Sequence, residues 1–139
     1  MTENDSLIPA EWYAFAARDL GAATALLKDR DEFLSVAGML LQQAVEKYLK
    51  GYLLSKGWPL ARTHHLGQLL KDLIGYEADF ADFEDVCLRI TYLYIESRYP
   101  LHVTTPISRA ELEKLFAEAE PLIARIESRA SPARSKDTP

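Results

Sequence analysis

Cysteine is nearly absent from this sequence, since Cys87 is the only one among 139 residues. An internal disulfide is therefore excluded, and so is a zinc site built from paired thiolates. We expect no metal and no other cofactor. Long apolar runs are also missing: no segment approaches the roughly 20 apolar residues that cross a bilayer. The first ten residues, MTENDSLIPA, lack the basic start of a signal peptide. These absences predict a cytoplasmic protein without a membrane partner.

Positive charge is scarce as well, because the net charge is −5. This balance argues against a protein that coats duplex nucleic acid through overall charge. The distribution is uneven, however: segment 46–71 holds five bases and one acid, whereas segment 72–85 holds six acids and no base. A locally basic region could receive a phosphate without attracting every polyanion. Two ordinary solvated surfaces of opposite sign are the alternative interpretation.

The strict alternation of a β-strand is missing, and every long segment instead has the period of an amphipathic helix. The first helix is predicted over 9–28. A second runs from Phe33 to a stop at Gly57, which is a residue typical of helix ends. A short third helix is predicted over 63–75, where Thr63 is the candidate N-terminal cap.

Two further helices follow. The fourth begins near Phe83 and ends near Arg98, because Pro100 disfavours helical geometry at the residue before it. The fifth has the clearest start in the chain: Ser108 and Glu111 have the spacing of a capping box, in which each side chain bonds the other residue's amide.

This pattern predicts an all-α protein, an up-and-down bundle of four to five helices. The predicted domain covers residues 9–128, preceded by a flexible N-terminus at 1–8. The last segment, 129–139, is small, polar and proline-containing, and we expect it to be disordered.

Three motifs together resemble the HEPN family: QQAVEKYLK at 42–50, THHL at 63–66 and YIESRYP at 94–100. The resemblance extends over about 12–126. It implies a HEPN-like bundle of four to five helices that is usually a two-fold homodimer. It also implies a link to nucleotides or RNA, and a minimal nucleotidyltransferase as partner, often in a toxin–antitoxin pair or a defence system.

Some members of this family are metal-independent endoribonucleases, whose motif is an arginine, four to six residues, and a histidine from each dimer copy. Here Arg98 and His102 are separated by three residues. Metal-free RNA cleavage needs a base, an acid and a cation on the phosphate, and these side chains supply those groups. Arg98 and His102 are therefore the candidate catalytic residues. The alternatives are a helix-capping arginine and a plain loop histidine.

Candidate nucleotide- or RNA-binding residues lie on the second helix. Gln43, Glu46, Lys47 and Lys50 are spaced so that they share one face. The lysines could bind phosphate, while the glutamine reads a base edge or orients the candidate arginine. The alternative is a solvated face supported by the pair Glu46 and Lys50. Tyr99, outside the regular apolar stripe, is a candidate ligand or dimer contact.

Adjacent histidines at 64 and 65 suggest a metal site only weakly, because neighbouring residues that open a short helix do not easily reach one ion. His64 is expected instead to pack or hydrogen-bond at the start of the third helix.

Three hypotheses follow for the function. The leading one is a HEPN-like nucleotide- or RNA-binding module, a homodimer that works with a minimal nucleotidyltransferase. The second is a metal-independent endoribonuclease toxin that uses Arg98 and His102 across the dimer cleft. The third is a purely structural dimerisation bundle.

Overall fold

The computed structural model describes residues 5–98 and 107–130, and for residues 94–98 it describes the backbone only. Within these ranges the structure is helical and contains no strand, which confirms the all-α prediction. Short 3₁₀ helices at Asp31–Phe33 and Ala78–Phe83 lead into the second and fourth α-helices. The five α-helices are α1 (Pro9–Leu27), α2 (Leu34–Ser55), α3 (Leu66–Tyr76), α4 (Glu84–Arg98) and α5 (Arg109–Ala130).

Helix α2 is the centre of the bundle, and each of the other four helices packs against it. Accordingly, 14 of its 22 residues are buried. The broad apolar stripe of this helix supplies much of the core, including fully buried Leu41, Val45, Leu49 and Leu53. Each buried side chain of this size contributes about 1.5–3 kcal/mol relative to an exposed one. The breadth of the stripe therefore explains why this helix occupies the central position.

Local sequence features set several helix ends as predicted. Gly57 follows α2 with a φ of +87°, a conformation that L side chains rarely adopt. At the start of α5, the Ser108 amide donates to Glu111 Oε1 over 3.1 Å, and the Glu111 amide donates to Ser108 Oγ over 3.1 Å. The prediction that Thr63 caps α3 is wrong. Its hydroxyl accepts the amide of His65 within the preceding loop, and the helix begins after that histidine.

The ends of the predicted domain are only partly described. Helix α5 continues through Pro121 to Ala130, two residues beyond the predicted boundary at 128. Before α1, the Ser6 carbonyl accepts a hydrogen bond from the Trp12 indole over 2.9 Å, so this segment lies against the helix. Residues 1–4 and 131–139, which belong to the two predicted tails, lie outside the described residues.

Helices α3 and α4 run antiparallel, because only a short 3₁₀ segment joins the end of one to the start of the other. The start of α3 and the end of α4 therefore lie at the same end of the bundle. A Cβ built on Gly38 would lie 3.3 Å from Leu93 Cδ1, so the first turns of α2 adjoin the last turns of α4. We call this half of the bundle, which contains residues 38–46, 63–66 and the backbone of the last turn of α4, the site end.

The opposite end is closed by a cluster of ion pairs around Glu77. Its carboxylate accepts hydrogen bonds from the Tyr52 hydroxyl (2.7 Å), the Lys56 ammonium (2.6 Å) and the Arg129 guanidinium (2.5 Å). Arg129 also donates to Asp79 over 2.5 Å. These contacts join the ends of α2, α3 and α5. Three of the six acids in the acidic segment 72–85, Glu77, Asp79 and Asp82, thus pair with bases of other helices.

The Glu77 cluster should make stability depend on acid pH. Burial alone would raise the pKa of Glu77, but the hydrogen bonds from Lys56, Tyr52 and Arg129 outweigh it, and the pKa is lowered. A lowered carboxyl pKa stabilises the fold above the unfolded value, and this contribution is lost as pH falls through the folded value. Glu77→Gln should therefore cost roughly 1–3 kcal/mol at pH 7. It should also flatten the stability profile below about pH 4.5.

Urea unfolding at a series of pH values measures this effect. The matched control is Glu120→Gln, an exposed glutamate on α5. The prediction fails if Glu77→Gln and Glu120→Gln give the same acid profile.

Candidate functional site

A buried polar network lies along the middle of α2 and reaches the loop before α3. Glu46 and Lys50 are only 7% and 4% exposed, and the lysine ammonium lies 2.9 Å from Glu46 Oε2. Gln42 is fully buried, and its Nε2 donates to Glu46 Oε1 over 3.1 Å and to the His64 carbonyl over 3.2 Å. Burying a carboxylate is costly unless a counter-charge and hydrogen bonds accompany it, and this arrangement supplies both. We call Gln42, Glu46, Lys50 and His64 the Glu46 network.

His64 is the solvent-facing member of the Glu46 network. Its Nδ1 lies 3.1 and 3.2 Å from the two carboxylate oxygens of Glu46, while 55% of its side chain is exposed. Because an ionised carboxylate can only accept, Nδ1 carries the proton in this contact. The expectation that His64 hydrogen-bonds at the start of the third helix is confirmed. The carboxylate also fixes the orientation of the ring.

A second buried ion pair joins α1 to α2. The Asp19 carboxylate is 6% exposed and accepts a hydrogen bond from the Lys47 ammonium. Arg18 Nε lies at 3.8 Å from the same carboxylate. The aromatic ring of Trp12 lies beside the neighbouring Lys50, whose ammonium is 5.7 Å from the ring centroid. Both lysines of the predicted binding face are therefore held by groups of α1 and α2.

The structure alters the interpretation of that face. The alternative to a ligand-binding role was that this face of α2 is a solvated surface. That alternative is wrong for Glu46 and Lys50, which are buried. Gln43 and Lys47 are half-buried, so they retain some access to solvent. The four residues do lie on adjoining turns, and the pair Glu46 and Lys50 forms as its spacing predicts. Their roles in ligand binding stay predictions.

The candidate catalytic residues fall at the edge of the described chain. Arg98 is the last residue of α4, as the sequence predicts, and only its backbone is described. Tyr99 and His102 lie outside the described residues. The convergence of Arg98 and His102 on one cleft therefore stays a prediction. The structure places the backbone of Arg98 five residues beyond Leu93, whose side chain packs beside Gly38 near the start of α2.

Sequence reasoning missed two members of these networks. Gln42 precedes Glu46 by four residues, and that spacing would have placed it beside the glutamate. The predicted binding face contains Gln43, and it therefore does not include Gln42. Asp19 carries no comparable local pattern, since its partner Lys47 is 28 residues away in sequence. Only the packing of α1 on α2 brings these two together.

A groove of about 620 Å³ lies beside the first turns of α1 and is bordered by Lys47 of α2. Its polar lining includes Asp5 and Glu11, which disfavour an anionic ligand, and Trp12 and Phe15 give it an apolar floor. The groove is therefore a poor candidate for a phosphate site. Its lining residues are Asp5, Ser6, Glu11, Trp12, Ala14, Phe15 and Lys47.

Other kinds of site find no support in the part of the chain that the structure describes. Within residues 5–98 and 107–130, no group of three His, Cys, Asp or Glu side chains is arranged to hold a metal ion. No helix in the same ranges has the length and apolar character needed to cross a membrane. Burial raises the pKa of the Cys87 thiol to about 12, which makes it a poor nucleophile.

Comparison with known proteins agrees with the motifs and the fold. The model of the HEPN domain matches residues 10–129. The crystal structure of TT1696 from Thermus thermophilus superimposes with a TM-score of 0.75 at 29% sequence identity, covering 86% of this chain and 96% of that one. A search of curated proteins found no match. Because the family model spans nearly the whole helical part, the chain belongs to the HEPN domain family.

Proposed function

We propose that this chain is a nucleotide- or RNA-binding module, a homodimer that works with a minimal nucleotidyltransferase in a toxin–antitoxin or defence system. Family membership supports the general class. The observation that carries the proposal is the buried Glu46 network on α2, in the half of the bundle in which α4 ends at Arg98. Arg98 is a cation able to grip phosphate bidentately.

Local charge supports a phosphate-bearing ligand. From Lys47 to Lys71 the chain holds five bases and no acid. The acids that follow lie towards the opposite end, where Arg125 and Arg129 pair with Asp79 and neighbouring carboxylates. Of these five bases, Lys56 pairs with Glu77 at the opposite end, and Lys47 and Lys50 are held by Asp19 and Glu46, so the exposed Arg62 supplies the positive charge in the loop before α3. Such a local field attracts phosphate groups without binding every polyanion.

Each candidate residue has a proposed role. Arg98 grips a phosphate, and Tyr99 stacks on a base or contacts the second copy. Gln43, half-buried on α2, offers an amide to the ligand. Lys47 contributes through its charge while it is held by Asp19. Glu46 and Lys50 act indirectly, because they are buried and hold the network in place.

The outward face of α4 supports dimerisation. Leu88 and Tyr92 lie one turn apart on this face and are 68% and 59% exposed. Neighbouring apolar groups this exposed are typical of an interaction surface. We propose that a second copy covers them. We propose that the two-fold axis runs along α4, so that the two helices lie parallel and both copies of Arg98 reach the same end of the dimer.

Ligand-induced stabilisation tests the binding role. ATP or an oligouridylate at 100 times its Kd should stabilise the wild type by about 2.7 kcal/mol. Arg98→Ala should lose most of this response, because its phosphate contact is removed. Thermal unfolding with and without each probe gives the measurement, and light scattering should give twice 15.7 kDa for the particle mass.

Lys114→Ala is the matched control, since this α5 lysine is 72% exposed and only 4.0 Å from Glu118. It should respond to the probes as the wild type does. No response of the wild type to either probe would remove the binding proposal. A mass of one chain would remove the dimer.

The endoribonuclease remains the second candidate, favoured by the position of His102 four residues after the end of α4. It predicts that the purified protein cleaves RNA in EDTA and that His102→Ala abolishes the cleavage. RNA that stays intact with the wild type in EDTA would leave only the binding role.

The nucleotidyltransferase partner rests on what membership of the family implies. A small nucleotidyltransferase encoded next to this chain should form a stable complex with it during copurification. Failure of that neighbour to bind would remove the partner from the proposal while leaving the ligand untouched.

A further inference from the structure

His64 is an exposed side chain whose ring is oriented by a buried acid. Glu46 is 7% exposed, yet both of its oxygens lie within 3.2 Å of His64 Nδ1. A surface imidazole ordinarily samples several rotamers, whereas this one is restrained by a carboxylate that is itself held by Lys50 and Gln42. Restraint of this kind is how binding and catalytic side chains are prepared for a ligand.

We propose that His64 is a further ligand-contacting residue that binds a phosphate group at the site end. This inference rests on the proposed function and adds a residue to it. The shared chemistry of the ligand is a phosphate, carried either by a free nucleotide or by an RNA chain.

The network contains an acceptor that still needs a donor. Gln42 is fully buried, and its Oε1 has no hydrogen-bond partner among the described residues. Its Nε2 is committed to Glu46 and to the His64 carbonyl, so the orientation of the amide is set. A buried acceptor without a donor is uncommon in folded proteins and marks a place for a bound water or a ligand hydroxyl. That place is in direct contact with the groups that hold His64.

Charge around His64 favours an anion. Lys50 lies 2.9 Å from Glu46 and balances its charge. Arg62, two residues before the histidine, is exposed, and no acid occurs between Lys47 and Lys71. Because Nδ1–H is donated to Glu46, an anionic oxygen would be bound at Nε2, which donates when the ring carries both protons.

His64 and the backbone of Arg98 lie in the same half of the bundle. His64 immediately precedes the first turn of α3, and Arg98 ends the antiparallel α4. On α2, Gln42 donates to the His64 carbonyl, and Gly38, one turn earlier, packs against Leu93 of α4. A phosphate-bearing ligand that contacts His64 would therefore be bound in the half of the bundle in which α4 ends.

Fluorescence anisotropy with a labelled oligouridylate, and competition by ATP, tests the assignment. His64→Gln keeps the polarity and roughly the size of the side chain but loses the imidazole N–H groups, and it should weaken binding about tenfold. His65→Gln is the matched control. The His65 ring, next to His64 in sequence, is exposed, and the hydrogen bonds that the His65 carbonyl accepts are backbone bonds that the change leaves in place. It should bind as the wild type does. Thermal unfolding of both variants confirms that the fold is intact.

The outcomes separate the two proposals. If Arg98→Ala loses affinity while His64→Gln binds as the wild type does, His64 is not a ligand contact and the proposed function stands. If the wild type binds neither probe, the proposed function and this inference fall together. A tenfold loss of affinity in His64→Gln that is seen only with oligouridylate identifies RNA as the ligand. A loss of affinity that is seen in the ATP competition identifies a free nucleotide. Either result supports the assignment.

Discussion

Lys47→Met is expected to lower the free energy of unfolding by about 3 kcal/mol, near the lower end of what breaking a buried ion pair costs. The Asp19 carboxylate is 6% exposed, and the Lys47 ammonium is the group that hydrogen-bonds to it. Methionine fills the same volume but leaves the carboxylate without that partner. Arg18, at 3.8 Å, offsets part of the loss because it remains near the charge.

The double variant Asp19→Asn with Lys47→Met removes both charges and should recover most of the lost stability. Replacement of a complete buried pair is often close to neutral, whereas removal of one partner is not. Urea unfolding of the wild type, both single variants and the double variant gives the coupling energy. Lys114→Met, on the exposed side of α5, is the control and should change stability by less than about 0.5 kcal/mol.

A cost below about 1 kcal/mol for Lys47→Met would contradict the prediction, since that value is typical of an exposed pair. It would show that water reaches Asp19 in the folded protein. Lys47 would then be available to a ligand, and its contribution to the proposed site would be direct.

The helices could be predicted from the sequence because their determinants are local. The capping box of Ser108 and Glu111 and the glycine stop at Gly57 each involve residues only a few positions apart. Thr63 shows the limit of this reasoning: its hydroxyl caps a turn in the loop instead of the helix, because α3 begins only after His65. Local patterns thus identify which helices exist more securely than where one of them starts.

The candidate site depends on contacts between distant residues, and these were harder to predict. The spacing of Glu46 and Lys50 predicts their ion pair, but nothing local indicates that the pair is buried. Burial follows from the packing of α1 and the loop before α3 on α2, which also brings His64 to Glu46 across 18 residues. A polar face on the central helix of a bundle is covered by its neighbours, so it becomes an internal network.

The close approach of α1 to α2 gives the last prediction, in which two glycine-to-alanine changes have opposite signs. A Cβ on Gly51 would lie 2.7 Å from Tyr13 Cε1 and 3.0 Å from Trp12 Cβ. Part of α1 would have to move away, and the strain should cost about 1–3 kcal/mol. This exceeds the gain of up to about 1 kcal/mol from the better helix propensity of alanine. Gly51→Ala should therefore destabilise the protein.

Gly21→Ala is the matched control, because Gly21 is an exposed position of α1 and a Cβ there meets nothing within 4 Å. It should stabilise the protein by about 0.4–1 kcal/mol. Thermal and urea unfolding of both variants measure the difference. Two stabilised variants would mean that Tyr13 and Trp12 give way without strain and that the helices are not in close contact at Gly51. Because Trp12 also lies beside Lys50, a forced shift of α1 should reach the Glu46 network and weaken ligand binding together with stability.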